Sequence, residues 1–244
     1  IRLSSKKMGS SEEKHFTFDK TPDLTGKVAI VTGGNDGIGY FTCRELARKN
    51  AHVFMLGRNI ERCQTAIEKI KSETGNKEIE FLPLDLRSLK SDEIQEEFGV
   101  NHTGHFLLTK LLLPKIKASQ PARIVNVSSR GHRRAAGIEF EKLNDPNALD
   151  SMQRYVQSKL ANILFTNELN KRYLEGEQVY VNSLHPGLVD TNMLRMNDVS
   201  LPETMLSSSI SPEEGAITTL YCATSPEIEE KNYRGKYFDP FGIE

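Results

Sequence analysis

The chain has 244 residues, 32 Lys and Arg against 33 Asp and Glu, a formal net charge of -1 and an isoelectric point near 6.7. That balance provides no field for DNA, RNA or an anionic membrane and fits a small neutral partner. The three cysteines, Cys43, Cys63 and Cys222, are too few and too scattered for a disulfide framework or a zinc site, so a cytoplasmic or other reducing compartment is expected.

Residues 1–26 are polar and without a sustained period, and read as an arm leading into one domain over 27–244. From there strand and helix signals alternate. Lys27 to Thr32 is a β-branched run that meets a glycine-rich turn, Ile38 to Asn50 has helical spacing, and His52 to Leu56 is a second strand. Ile60 to Glu73 is a charged helix, Ile79 to Leu84 a third strand, and Phe98 to Ile116 an apolar helix. Its most apolar stretch, Phe106 to Leu113, is short and interrupted by Lys110, so no transmembrane span is expected, although an anchor preceding Ile1 fits the sequence equally well. Arg123 to Val127, Tyr155 to Leu174, Gln178 to Ser183, Pro212 to Thr224 and Lys236 to Phe238 continue the alternation. The predicted fold is a doubly wound, mostly parallel sheet with helices on both faces, a Rossmann-type three-layer α/β/α domain.

The turn after the first strand reads Thr32-Gly33-Gly34-Asn35-Asp36-Gly37-Ile38-Gly39. Glycines at this spacing, between a strand and a helix, allow a tight turn and close approach of a pyrophosphate to the helix N-terminus. Gly33, Asn35, Asp36, Gly37, Ile38 and Gly39 are therefore candidate cofactor contacts. The second strand ends in Leu56-Gly57-Arg58, with no acid for a ribose 2′-hydroxyl. Arg58 can pair with a 2′-phosphate, which favours NADP(H) with NAD(H) as the second choice. Asp85, with Leu86 next to it, stands where the third strand meets the adenine rim, or caps the segment after that strand.

In Tyr155-Val156-Gln157-Ser158-Lys159 the phenol and the ammonium lie four residues apart, on one helix face. A neighbouring ammonium favours phenolate, so Tyr155 is expected to have a lowered pKa and to donate a proton to a carbonyl receiving hydride. The strand ending Val127-Ser128-Ser129 would place Ser129 at the carboxyl edge of the sheet.

With Asn101-His102-Thr103-Gly104-His105 and His185-Pro186-Gly187-Leu188-Val189-Asp190-Thr191, these segments resemble the short-chain dehydrogenase/reductase family over about residues 24–238. Gly99-Val100-Asn101-His102 and Ser158-Lys159-Leu160-Ala161-Asn162 are most similar to its retinol-dehydrogenase-like members. The resemblance implies Tyr155 as the acid/base and Lys159 as its partner and a ligand of the nicotinamide ribose. It implies Ser129 on the substrate oxygen, Asn101 holding a water in the proton relay, and Pro186, Gly187, Val189 and Thr191 beside the nicotinamide and phosphates. The implied substrate is a small apolar carbonyl or alcohol, such as an aldehyde, ketone, retinoid or steroid-like molecule. A homodimer paired partly through the long helix is implied as well.

Bland readings compete elsewhere. His102 and His105 are expected to pack or hydrogen-bond locally rather than bind metal. The run Arg130 to Arg134 is expected to be solvated, with an anion site as its sharper reading. Met193, Leu194, Met196, Leu201, Met205 and Leu206 suit either a lid over an apolar substrate or a loose helix.

One segment departs from the family. Its members carry a strand and an Asn-Asn-Ala-Gly turn before the asparagine-bearing helix, whereas here Leu86 to Glu97 is mostly polar and the chain is roughly one β-α unit short. Either the parent protein has this unit and the present sequence omits it, or the deletion is genuine. A genuine deletion would unpair the neighbouring strands, open a wall of the nicotinamide pocket and leave a catalytically impaired nucleotide-binding or interaction protein.

Overall fold

The computed structural model describes residues 15–88, 95–145, 147–190 and 209–244. Strand β1 (Val28–Thr32) leads through the glycine turn to helix α1 (Gly37–Arg48), whose first amide is capped by the Asp36 carboxylate at 2.7 Å. Strand β2 (His52–Gly57) comes next, then α2 (Ile60–Thr74), held between an Asn59 cap and a left-handed Gly75. Strand β3 (Ile79–Pro83) completes a parallel sheet in which β1 and β3 both flank β2.

The second half begins with a short turn α3 (Glu96–Phe98), a π-helical turn (Gly99–Thr103) and α4 (Gly104–Ala118). Strand β4 (Ala122–Val127), helix α5 (Ser151–Tyr173) and strand β5 (Val179–Leu184) come next. Helix α5 starts four residues before the sequence pattern suggests, because Asp150 and Gln153 form a reciprocal capping box. After α6 (Pro212–Thr224) and a turn α7 (Glu227–Glu230), β6 (Tyr237–Phe238) joins β5, giving a second parallel sheet in the order β4, β5, β6.

The fold is thus the expected parallel α/β architecture, but its sheet is in two halves. Among the described residues β1 pairs only with β2, and β4 only with β5. A single helical layer bridges the halves: α1 packs on β1, β2 and α6, and α6 packs in turn on β4 and β5. The main core lies under this layer. It joins Val53, Met55 and Ile79 of one half to Leu184 and Phe238 of the other through Cys43, Leu46, Ala216 and Leu220. Phe16 and Leu24, within the segment read as a polar arm, are buried in the same core.

The opposite face differs between halves. Over β4 and β5 it is covered by α4 and α5, with Ile124, Val179 and Val181 packed against Leu113, Ile116, Phe165 and Leu169. Over the first half, among the described residues, it is largely uncovered: Val28 is 64% exposed, Ile30 46% and Leu82 42%. Apolar residues facing water in alternate positions of a strand mark a surface built to be covered. A strand between β1 and β4, together with the helix leading into it, would cover it, which is the unit that the sequence pattern lacks.

This asymmetry predicts contrasting mutational costs in urea denaturation. Ile30→Thr should change stability by no more than about 0.5 kcal/mol, whereas Leu220→Ala in the bridging layer should cost about 2–5 kcal/mol. Equal costs at the two positions would mean that β1 is covered.

Candidate active site

The cofactor end is built by the turn between β1 and α1. Gly33 (φ 64°) and Gly37 (φ 53°) adopt left-handed conformations open to glycine at little cost. Gly39 is required for closeness, since a Cβ there would lie 2.2 Å from the Gly33 carbonyl oxygen. The Asn35 Oδ1 leans over Gly57 at the end of β2, 3.3 Å from where a Cβ would stand. Ile38 and Val189 converge on Gly215 of α6, whose missing side chain lets both approach. That contact ties the glycine turn to the Pro186–Val189 segment, and Gly215 is a participant that no sequence motif announced.

At the adenosine end Arg58 is exposed and lies close enough to Asp85 to help hold its carboxyl down. The main partner of Asp85 is Arg87, whose Nη2 donates at 2.8 Å and whose Nε donates at 3.1 Å. These bonds bring the Asp85 pKa to about 2. Arg87 thus adds a second guanidinium here, one that the sequence pattern did not single out. Leu86 packs on the start of α4, where a Cβ on Gly104 would meet the Leu86 carbonyl oxygen at 2.7 Å.

The four candidate catalytic residues converge from three elements. Asn101 sits in the π-helical turn, a wider coil that frees backbone carbonyls for other partners. Its carbonyl accepts from Asn162 Nδ2 at 3.2 Å, and its own Nδ2 donates to Ser158 Oγ at 3.1 Å. Ser158 Oγ donates to the Tyr155 carbonyl at 2.7 Å, which locks this junction to α5. Ser129, just beyond β4, shares a side-chain hydrogen bond with Tyr155 and caps the short helix over Arg130–Arg134. The Lys159 ammonium donates to the Val127 carbonyl at 3.3 Å and lies 5.6 Å from the centre of the Tyr155 ring.

The electrostatics differ from the sequence expectation in one respect. Burial pushes the Tyr155 phenol above its ordinary value, opposed only by the Ser129 hydrogen bond, and Lys159 is not among the groups that shift it. The expected lowering of the Tyr155 pKa by Lys159 is therefore absent from this arrangement. Burial also brings Lys159 down to about 8. Low-dielectric surroundings favour the neutral form of each.

His102 and His105 are held locally. His102 Nδ1 lies 3.0 Å from Asn162 Oδ1, while His105 bridges the Val100 carbonyl at 2.9 Å and Thr32 Oγ1 at 3.1 Å. Gly187 (φ 99°) lies against Ile210, and Val189 is buried and bridged to Ile210. Thr191 and the residues from Met193 to Leu206 lie outside the described residues. No helix among the described residues is long and apolar enough to cross a membrane.

Comparison with known proteins identifies the family. A family model described as short chain dehydrogenase matches residues 27–91 and 86–200. The chain belongs to the short-chain dehydrogenase family. It is 39% identical to mouse retinol dehydrogenase 13 over 88% of its own length and 76% of that protein's. It is also 35% identical to the chloroplastic short-chain dehydrogenase TIC 32 A of Brassica napus, over 90% and 82% of the two lengths. A short chain dehydrogenase from Shigella flexneri, solved in complex with NADP, superposes with a TM-score of 0.69 at 21% identity. That match covers 90% of this chain and 98% of the other.

Among short-chain dehydrogenases the present chain is internally short. The alignment with the mouse protein runs over 258 positions, more than the 244 residues of the chain, while matching only 88% of them. The relative therefore has residues that this chain lacks. The two stretches matched by the family model meet at residues 86–91, where the polar segment replaces the expected strand.

A buried ammonium has a calculable signature. The unfolded chain binds the Lys159 proton more tightly than the folded one, so folding stability should rise as pH climbs from about 8 towards 10.5. Lys159→Met should consequently melt higher than wild type near neutral pH, with an advantage that shrinks across that window. The Val127 carbonyl keeps its Asn162 donor in the variant. Melting curves whose separation is independent of pH would refute the buried charge.

Proposed function

We propose that the protein is an NADP(H)-dependent oxidoreductase that interconverts a carbonyl and an alcohol on a small apolar substrate. The observation that carries this reading is the convergence of Asn101, Ser129, Tyr155 and Lys159 at the carboxyl edge of β4. The residues present suit a dinucleotide. A glycine turn too tight for a Cβ at Gly39 meets a helix N-terminus, and Arg58 with Arg87 supplies positive charge without a competing acid at the end of β2. NADP in the Shigella flexneri relative supports the same choice.

When bound, the cofactor supplies or accepts the hydride. The residues of the chain orient the substrate and manage the proton. Ser129 Oγ holds the carbonyl oxygen, and Tyr155 Oη donates its proton to that oxygen as it becomes an alkoxide. The raised Tyr155 pKa keeps the phenol protonated, the state that reduction requires. Lys159 holds the ribose, while Asn101 positions the water that returns the proton. Pro186, Gly187 and Val189 form the wall beside the nicotinamide.

Buried thiols at Cys43, Cys63 and Cys222, all free, suit a reducing compartment. Exposed Phe106 and Leu111 on α4, and Leu164 and Tyr173 on α5, suit pairing of two copies through these helices.

A second reading has its own observation. The open strand position beside β1 borders the pocket, and it favours a protein that binds the nucleotide without turning over substrate. Two measurements separate the readings. NADPH should raise the melting temperature more than NADH, with the difference lost in Arg58→Ala. NADPH oxidation with aldehydes should fall by roughly 10²–10⁴ in Tyr155→Phe. A thermal shift without Tyr155-dependent turnover would establish the second reading, and no shift with either nucleotide would remove both.

A further inference from the structure

Beside Tyr155 lies a polar patch that the proposed chemistry does not use. The pairing of Leu184 with Phe238 sets His185 beside Asp239, and the His185 amide donates to the Phe238 carbonyl at 2.8 Å. Because side chains alternate along a strand, His185, Tyr237 and Asp239 all face away from the core that holds Leu184 and Phe238. The short helix over Arg130–Arg134 covers them. The His132 ring stands edge-on to Tyr237 with centres 5.0 Å apart, and Arg130 Nη2 lies 3.4 Å from Asp239 Oδ1. The same helix touches the catalytic tyrosine, since a Cβ on Gly131 would lie 3.6 Å from Tyr155 Cε1. Tyr155 and Tyr237 are near enough to interact electrostatically.

Three polar atoms of this patch are buried and short of hydrogen bonds: His185 Nδ1 and Tyr237 Oη have no partner among the described residues, and Asp239 Oδ1 has only its ion pair with Arg130. Native proteins rarely leave such atoms unpaired, because each costs on the order of 1–3 kcal/mol. Three together, beside a reacting centre, describe a place prepared for a ligand group. The charges then select its chemistry. An anion would meet the Asp239 carboxylate, and a cation would meet Arg130 and Arg133, both of which bear on His185. Burial and these arginines bring His185 down to about 4, so its ring is neutral and offers a lone pair or an N–H rather than a charge. A neutral group that both donates and accepts satisfies the patch. A hydroxyl can accept from Tyr237 Oη and donate to Asp239 Oδ1 or His185 Nδ1.

We propose that His185, Tyr237 and Asp239 form a subsite for a hydroxyl group, so that the preferred substrate is an apolar carbonyl compound bearing a second, neutral oxygen function. The chemical part of this proposal rests on the carbonyl–alcohol reading above, whereas the binding part does not. A site built to hydrogen-bond a substrate hydroxyl discriminates strongly against an isostere that lacks it, because its buried polar atoms are then left unpaired.

The test compares para-(hydroxymethyl)benzaldehyde with para-ethylbenzaldehyde, and the corresponding meta pair, which differ only by hydroxyl against methyl. Dissociation constants are measured calorimetrically with and without NADP, alongside kcat/KM for NADPH oxidation. Wild type should bind and turn over the hydroxymethyl member of at least one pair roughly tenfold or more in preference. That ratio should approach one in Tyr237→Phe and in His185→Gln, with melting temperatures confirming that both variants fold. Equal binding of the two members by wild type, or a preference untouched by both substitutions, would overturn the subsite and assign the patch to solvent. A binding preference lost in Tyr237→Phe, with neither aldehyde reduced, would sustain the subsite and overturn the reductase reading instead.

Discussion

Everything in this molecule that resembles a dinucleotide enzyme depends on the contact between α1 and α6. In a continuous parallel sheet, hydrogen bonds between neighbouring strands would carry alignment from one edge to the other. Here that ladder stops at β1 and resumes at β4. Alignment of the halves is left mainly to apolar packing through Cys43, Leu46, Ala216 and Leu220 and to the meeting of Ile38 and Val189 at Gly215, with the Arg44–Glu213 ion pair and the Thr32–His105 hydrogen bond beside it. Packing of this kind is strong in sum and non-directional. It holds the layers together while specifying their relative register less sharply than a ladder would. The candidate adenosine end belongs to the first half and the candidate proton-transfer group to the second, so this helical layer sets how far apart the two lie.

Within the second half the catalytic group is rigid for a different reason. Asn101, Ser158 and Asn162 form a chain of hydrogen bonds that staples the π-helical turn to α5, and Asn162 continues to the Val127 carbonyl of β4. Lys159 shares that carbonyl, and Ser128 Oγ bonds back to the Lys159 carbonyl. Catalytic geometry therefore rests on buried amides and hydroxyls rather than on ion pairs. Such networks are costly when half satisfied and specific when complete. With Tyr155 favoured as a neutral phenol and Lys159 brought to about 8, the group carries a single buried ammonium near neutral pH and loses it as pH rises through that value.

Much of this was legible in the sequence because it is local. Tyr155 and Lys159 share a face by helical spacing, and the glycine turn stands between a strand and a helix. The features that were not legible depend on contacts distant in the chain. The Tyr155 pKa is set by how deeply the ring is buried, which spacing to Lys159 does not encode. Phe16 and Leu24 look isolated in a polar stretch, yet they close one edge of the main core. Arg87 reads as one charge in a polar run until its fork on Asp85 is seen. The start of α5 was in principle readable from Asp150 and Gln153, a capping box that hydrophobic periodicity overlooks.

The bare face of β1 and the proposed hydroxyl subsite bear differently on the candidate catalytic group. Exposure of Val28 and Ile30 weakens only the wall nearest the glycine turn, since no residue of the Asn101, Ser129, Tyr155 and Lys159 set is hydrogen-bonded to β1. Strand β1 reaches the second half through the hydrogen bond between Thr32 and His105, next to the π-helical turn. The subsite, by contrast, is carried by β5, β6 and the short helix after Ser129, within the half whose sheet is covered on both faces and away from its open β4 edge. The proposed substrate subsite and the candidate proton-transfer group are therefore both anchored to the second half. The cost of the open strand position falls first on how firmly the dinucleotide is held across the gap.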